Sequence, residues 1–379
     1  MMEKLQPKLR FPEFEGNWNI NKFRDIVKIN QGLQIPISER FFEKVEDSYF
    51  YITNEFLRES SEKKYFIKNP SQSVICSKDD ILMTRTGNTG MVVTNVEGAF
   101  HNNFFKISYP NNIAKQYLFY FLKLPNTQKQ ITRLAGTSTI PDLNHSDFYN
   151  IYFISPTLPE QQKIASFLTT VDDKISNLKQ KVSLLEKYKK GVMQQIFSQQ
   201  IRFKDTSGND YPVWEEKSLG EVSNKISSNI SANKIEENFG DYIIYGASGI
   251  LKKVDFYLEK DDYISIVKDG AGIGRIFYCK GQSSVLGTLD IIRPNKNLNC
   301  YFLYYLLNNI DFTKYATGST IPHIYYKDYS KEICLIPSYK EQTKIAEFLS
   351  GIDDKIETTK LQLSKMEVWK KGLLQGMFC

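Results

Sequence analysis

A chain of 379 residues has room for two or three domains, each with a full hydrophobic core. Its 41% hydrophobic and 24% charged residues are ordinary for a globular protein, and its longest apolar run, Cys300–Leu307, is too short to span a membrane. A net charge of +6 is compatible with an acidic partner but does not require one. The five cysteines (Cys76, Cys279, Cys300, Cys334, Cys379) form no C-x-x-C, and their odd number argues against a disulfide framework. No apolar stretch follows Met1, so no secretory signal is expected and a reduced cytoplasm is the expected location.

Residues 1–155 read as a first domain of mixed pattern, opening on Arg10-Phe11-Pro12 with Trp18, Phe23 and Ile26 behind it. Asp79 to Gly90 reads as a strand that ends in a glycine-bearing turn carrying Arg85, Thr86, Asn88 and Thr89. Glycine lacks a Cβ, so such a loop can approach phosphates and base edges closely. An ordinary hairpin turn has the same pattern. The run from Phe104 and the run Ile151–Ile154 read as strands, and Tyr117–Leu124 as a short buried helix. Between them, Thr137, Ser138 and Thr139 form a hydroxyl-rich loop able to bind backbone oxygens of a ligand or to satisfy its own turn.

Residues 156–199 form a spacer helix. Thr157-Leu158-Pro159-Glu160 fits S/T-x-x-E, in which the hydroxyl and the carboxylate each satisfy a first-turn amide. From there Ile164, Leu168, Val171, Ile175, Leu178, Val182, Leu185, Lys189 and Val192 alternate steps of four and three, the 3.5-residue period of a coiled-coil seam. Such a helix is about 57 Å long at about 1.5 Å per residue. Gly191, like its counterpart Gly372 in the second spacer helix, costs roughly 1 kcal/mol in a helix interior and is expected to bend or fray the last turns.

A second domain, residues 200–336, repeats the plan of the first. Arg202-Phe203, Tyr211-Pro212, Trp214, Leu219 and Val222 open it, and Tyr242–Tyr245 reads as a strand. The stretch Asp261 to Gly274 is again a strand with a glycine-rich end, now carrying Lys268, and Tyr245–Gly249 is a similar loop around Ser248. Tyr301–Asn308 reads as a short buried helix, and Ser319 and Thr320 lie in the counterpart of the 137–139 loop.

Residues 337–379 form the second spacer helix. Its start, Ser338-Tyr339-Lys340-Glu341, again fits a capping box, and its seam reads Ile345, Leu349, Ile352, Ile356, Thr359, Leu363, Met366, Lys370, Leu373. Residues 160–197 match 341–378 at a constant offset of 181, with 19 of 38 positions identical. Two equal seams in one chain supply each other's partner, so they are expected to pair, antiparallel because a globular segment separates them. Lys189 and Lys370 are then expected to reach water near opposite ends of the pair. Between Trp and the helix-start Glu the copies span 142 and 127 residues, so the domain interiors have diverged while their rims stayed in register.

Catalytic patterns are missing. Gly270-Ala-Gly272-Ile-Gly274 is one residue short of a dinucleotide fingerprint, and no phosphate-cradling G-x-x-x-x-G-K-[S/T] occurs. His101, His145 and His323 have no ligand spacing. Asp172-Asp173-Lys174 and Asp353-Asp354-Lys355 superficially resemble part of a nuclease site, but they sit in mid-helix beside the seam, where acid–base pairs stabilise helix contacts.

The order domain–helix–domain–helix resembles the specificity (S) subunits of type I restriction–modification systems. The similarity rests on the doubled Glu-Gln-x-Lys-Ile-Ala and Asp-Asp-Lys-Ile segments with their Lys-Lys-Gly endings, on Arg10-Phe11-Pro12 and on the Ser-Thr-Ile-Pro loops. The resemblance implies an α+β chain of two mixed α/β target-recognition domains alternating with two long helices paired as an antiparallel coiled coil. It implies that each domain reads half of a bipartite DNA site. It further implies partners: double-stranded DNA, two methyltransferase subunits docked on the helices and two restriction subunits joining through the complex, with no membrane. S-adenosylmethionine, ATP and Mg²⁺ would sit on those partners, and this chain would catalyse nothing. A non-catalytic scaffold and a self-contained DNA enzyme are the competing readings.

Overall fold

The computed structural model describes residues 5–58, 63–136 and 139–379. Four helices organise it: α1 (Lys115–Lys123), α2 (Leu158–Phe197), α3 (Cys300–Asn308) and α4 (Tyr339–Gly376). Two compact units result, Met1–Asn177 with Gln362–Cys379, and Leu178–Leu361. Their borders fall inside both long helices, so each unit owns the start of one long helix and the end of the other. Among the described residues no helix is long and apolar enough to cross a membrane. Contrary to the expected bend or fray, both long helices run unbroken through Gly191 and Gly372; both glycines are free of neighbours, and the adjacent Val192 and Leu373 are buried.

In the first unit, strands Lys28–Gln31, Phe104–Ser108, Ile81–Thr84 and Val92–Val93 form an antiparallel sheet in that order. Ile81–Thr84 is buried along its whole length because both faces are covered. Ile81 and Met83 face a core shared with Tyr117, Leu118 and Phe121 of α1, while Leu82 faces a second core with Ile52, Phe100 and Phe104. That second core lies under the sheet Tyr65–Lys68, Ser48–Ile52, Gly98–Phe100, Ile75–Cys76. A two-stranded ribbon, Asn19–Lys22 with Tyr152–Ser155, closes the unit beside α2.

The second unit repeats this layering. Its sheet is Ser223–Ser227, Leu289–Pro294, Tyr263–Val267 and Ile276–Cys279, and Tyr263–Val267 is again buried throughout. Ile264 and Ile266 face α3, whereas Tyr263 and Val267 face a core under the three-stranded sheet Gly249–Val254, Tyr242–Gly246, Ser283–Val285. The ribbon is Glu215–Ser218 with Ile333–Ile336. This second sheet has four strands in the first unit and three in the second, and the helix Pro125–Ala135 of the first unit gives way to a short 3-10 turn, Phe312–Tyr315, in the second.

The helix segments meet antiparallel inside each unit. In the first, Arg10 binds Glu160 at the start of α2 while its neighbour Leu9 donates its amide to Gly376 at the end of α4. In the second, Lys360 pairs with Glu186 and Lys189 with Asp353, so the numbering falls along one helix as it rises along the other. Ile164, Leu168, Val171, Ile175 and Leu373 are buried in the first unit. Leu178 is buried in the second, as are Ile345, Leu349, Ile352 and Ile356. Val182, Leu185, Leu363 and Met366 are half-buried, since two paired helices leave the flanks of a seam residue open. Lys189 and Lys370 depart from expectation: they pair with Asp353 and Asp172 instead of reaching out to water. A carboxylate one residue beyond the facing seam position lies closer than bulk solvent.

Ile356 is 5% exposed. Changing it to Asp places an unpaired charge in the seam, and urea unfolding is expected to show a loss of about 3 kcal/mol or more. An unchanged midpoint would remove Ile356 from the helix contact.

Candidate nucleic-acid interface

The duplicated Glu-Gln pairs anchor each domain to its helix. Glu160 is 1% exposed and accepts two hydrogen bonds from Arg10, both 2.8 Å. Glu341, fully buried, accepts from Arg202 at 3.2 and 2.8 Å and from Trp214 Nε1 at 3.0 Å. These glutamates were expected to fold back on their own helix starts as capping-box partners; a guanidinium in a bidentate fork binds the carboxylate more strongly than an amide does. Gln161 accepts from the Ala114 amide just before α1 and donates to the carbonyls of Asn112 and Pro156. Gln342 does the same with Asn299, Asn297 and Pro337 before α3. Sequence reasoning missed Arg10 and Arg202 in this role. The signal was present as an Arg-Phe and a Glu-Gln, each occurring twice.

At the end of each central strand, two loops are clasped together. In the first unit the Arg85 carbonyl accepts from the Leu143 amide at 2.9 Å, and Thr89 Oγ1 donates to the Pro141 carbonyl at 2.8 Å. The Arg85 guanidinium grips Asp142 with both Nε and Nη2, and Thr86 donates its hydroxyl to the same carboxylate. Gly87 and Gly90 hold φ of +85° and +88°, which a side chain would strain. In the second unit the Lys268 carbonyl accepts from Ile324 at 2.9 Å and the Gly270 amide donates to Pro322 at 2.9 Å. There the side-chain clasp is Asp269 with His323 Nδ1 at 2.7 Å, and Lys268 pairs with Asp290 at 3.1 Å. The backbone clasp is shared and the side-chain clasp is not.

This arrangement sorts the candidate contact residues. Arg85, Thr86 and Thr89 are committed to the clasped loops and Lys268 to Asp290 of the neighbouring strand; they shape the platform and leave no free cation at these positions. Asn88 and Thr139 are exposed at the first unit's loop tips, and Ser248, Ser319 and Thr320 at those of the second. Thr137 and Ser138 lie outside the described residues. Beside these hydroxyls, Ile140 and Ile321 are 64% and 58% exposed, an apolar feature at matching places that sequence reasoning did not single out.

Burial alone would raise the Asp142 carboxyl, but hydrogen bonds from Thr86 and Arg85 outweigh it and hold it below its ordinary value. A depressed carboxylate stabilises above its unfolded value and loses that contribution as pH falls through the folded one. The first unit's clasp is therefore expected to stay closed at neutral pH and to open only below about pH 4, with amide exchange at Leu143 as the readout. In the second unit, Arg202→Ala strands a buried carboxylate, and chemical denaturation is expected to show a loss of about 3–5 kcal/mol. A loss under about 1 kcal/mol would mean that the pair does not carry the anchor.

A family model for the type I restriction modification DNA specificity domain matches residues 15–187 and 213–367, one match in each repeat. The type I restriction enzyme MjaVIII specificity subunit of Methanocaldococcus jannaschii is 26% identical, over 97% of this chain and 92% of its own. A putative type I specificity subunit of Mycoplasma genitalium, S.MgeORF438P, is 24% identical over 71% of this chain and 72% of its own. The crystal structure of a type I restriction–modification S subunit from M. genitalium superposes with a TM-score of 0.67 at 20% identity, covering 99% of both chains. A chain from a type I system studied for complex assembly gives 0.54 at 16% identity, over 95% and 97%. These two likenesses establish a shared fold, and the family match extends over most of the sequence. The chain belongs to the DNA specificity family of type I restriction–modification systems, as a specificity subunit and not as an enzyme.

Proposed function

We propose that the protein selects the DNA on which a type I complex acts, each domain reading one half of a bipartite, non-palindromic site. The observation that carries this reading is the pair of loop clasps: one backbone frame, built twice, presents different side chains in each unit. A frame shared by both domains suits a common task of approaching DNA, and its differing decoration suits two unlike half-sites. Exposed polar tips (Asn88, Thr139, Ser248, Ser319, Thr320) supply donors and acceptors, while affinity comes largely from Lys and Arg on phosphates and falls with salt.

In the same proposal the helix pair sets the spacing between half-sites and docks two methyltransferase subunits, through which two restriction subunits join. Leu184 and Tyr188 in one unit and Val368 and Trp369 in the other are 48–69% exposed on the outer helix faces, where a partner would bury them. S-adenosylmethionine, ATP and Mg²⁺ belong to those partners.

Co-expression with the methyltransferase subunit of the same system, followed by genome-wide mapping of N6-methyladenine, tests the reading. Two unlike half-sites around an unspecified spacer are expected; methylation by this chain alone, or one contiguous motif, overturns it. Inserting four residues after Gln180 adds about 6 Å of helix and is expected to lengthen the spacer by about one or two base pairs. An unchanged spacer in an active complex contradicts the ruler.

A further inference from the structure

The Asp-Asp-Lys-Ile and Lys-Lys-Gly segments, which the DNA reading leaves without a task, meet in space with a tyrosine from each globular domain. In the first unit Asp172 of α2 accepts the Tyr120 hydroxyl of α1 at 2.8 Å and pairs with Lys370 of α4. The Lys370 ammonium also lies 5.8 Å from the centre of the Tyr120 ring. In the second unit Asp353 of α4 accepts the Tyr305 hydroxyl of α3 at 2.7 Å and Lys189 of α2 at 2.6 and 2.8 Å. The Lys189 ammonium stands 5.1 Å from the centre of the Tyr305 ring. The aspartate and lysine side chains are about equally sheltered in both, at 20–33% exposed. Each triad draws one member from the domain and one from each long helix.

We propose that these triads are positioning sites: each locks one DNA-reading domain to its helix pair in a single orientation and register. This rests on the DNA reading proposed above. The apolar seam alone cannot choose the register, because sliding one helix by seven residues again sets apolar positions face to face. Helices in which residue i faces residue 542 − i satisfy both ion pairs. A slip of one heptad in one direction sets Lys189 against Lys360 and Lys370 against Lys179. The opposite slip sets them against Ala346 and Ala165. Like charges meet in the first case, and in the second the lysines lose their carboxylates against a small apolar residue. The tyrosine adds what a helix pair cannot specify by itself, the angle of the domain. Its hydroxyl is held protonated: burial above all, with the carboxylate adding to it, pushes Tyr120 and Tyr305 well above the ordinary tyrosine value, and at Tyr120 a hydrogen bond with Thr169 offsets only part of the rise.

Tyr120→Phe and Tyr305→Phe test this, since each removes one hydroxyl and keeps the ring. Pulsed dipolar distances between spin labels at Glu97 of the first domain and Asn177 of α2 are expected to broaden in Tyr120→Phe, with the melting temperature little changed. In the complex with the methyltransferase, Tyr120→Phe is expected to lower methylation of one half-site by about tenfold or more and to spare the other. Tyr305→Phe is expected to do the reverse. An equal fall at both half-sites with a lower melting temperature reduces the triads to plain stability elements and overturns the proposal. So does an unbroadened distance distribution. A wild-type complex that methylates no bipartite site fails the DNA reading instead, and the distance measurement still decides the triads.

Discussion

Neither domain can close its core with the helix that belongs to its own repeat. The first unit buries Ile164, Leu168, Val171 and Ile175 from α2, and it also needs Leu373, Met377 and Phe378 from the far end of the chain. Phe378 stacks on Tyr117 of α1 at 5.0 Å. In the second unit the same place is taken by Phe197, at the end of α2, against Phe302 of α3 at 5.9 Å. Aromatic burial of this kind is worth several times the marginal per-residue stability of a fold, so each unit depends on a helix end contributed by the other repeat. Closing each domain core and pairing the helices therefore draw on the same helix segments.

The polar groups of the duplicated motif follow from that dependence. A helix start that must insert beside α1 or α3 leaves first-turn groups away from water, and buried polar groups have to be paired. Glu160 and Glu341 find arginines, and Gln161 and Gln342 bridge to the loops preceding α1 and α3. The two copies are not identical in this respect. Trp214 donates its indole N–H to Glu341, whereas among the described residues Trp18 Nε1 is buried without a partner. The charged residues farther along the helices form the tyrosine triads where each globular layer still touches the pair. The stretch Glu160–Asp172, like Glu341–Asp353, thus carries both the anchor and the aspartate of a triad, whose lysine comes from the other long helix.

The loops at the strand ends obey a different logic. A backbone bridge recurs at equivalent residues in both units, with the Leu143 amide on the Arg85 carbonyl in one and the Ile324 amide on the Lys268 carbonyl in the other, while the side chains that close it were exchanged: Arg85, Thr86 and Asp142 in one, Asp269 and His323 in the other. Complementary pairs can be replaced by other complementary pairs without disturbing the strands beneath them, because the frame is held by amides and carbonyls. A scaffold that tolerates such exchange suits a surface whose ligand differs from one domain to the next.

Much of this was legible in the residues. Seam periodicity marked both long helices, and buried Tyr117–Leu124 and Tyr301–Asn308 marked α1 and α3, because apolar spacing is a local property of the chain. The doubled motifs declared the family for the same reason. What periodicity could not say is which charged residue meets which. Arg85 and Lys268 look like free cations in a glycine-rich turn until Asp142 and Asp290, 57 and 22 residues away, are seen beside them. Glu160 looks like a cap until Arg10 arrives from 150 residues earlier. Amino-acid order by itself determined the helices, the duplication and the apolar faces, each encoded over a few consecutive turns. Tertiary structure alone decided the ion pairs, the loop clasps and the sharing of helix ends, since a charge has no period and takes whatever partner the fold carries within reach.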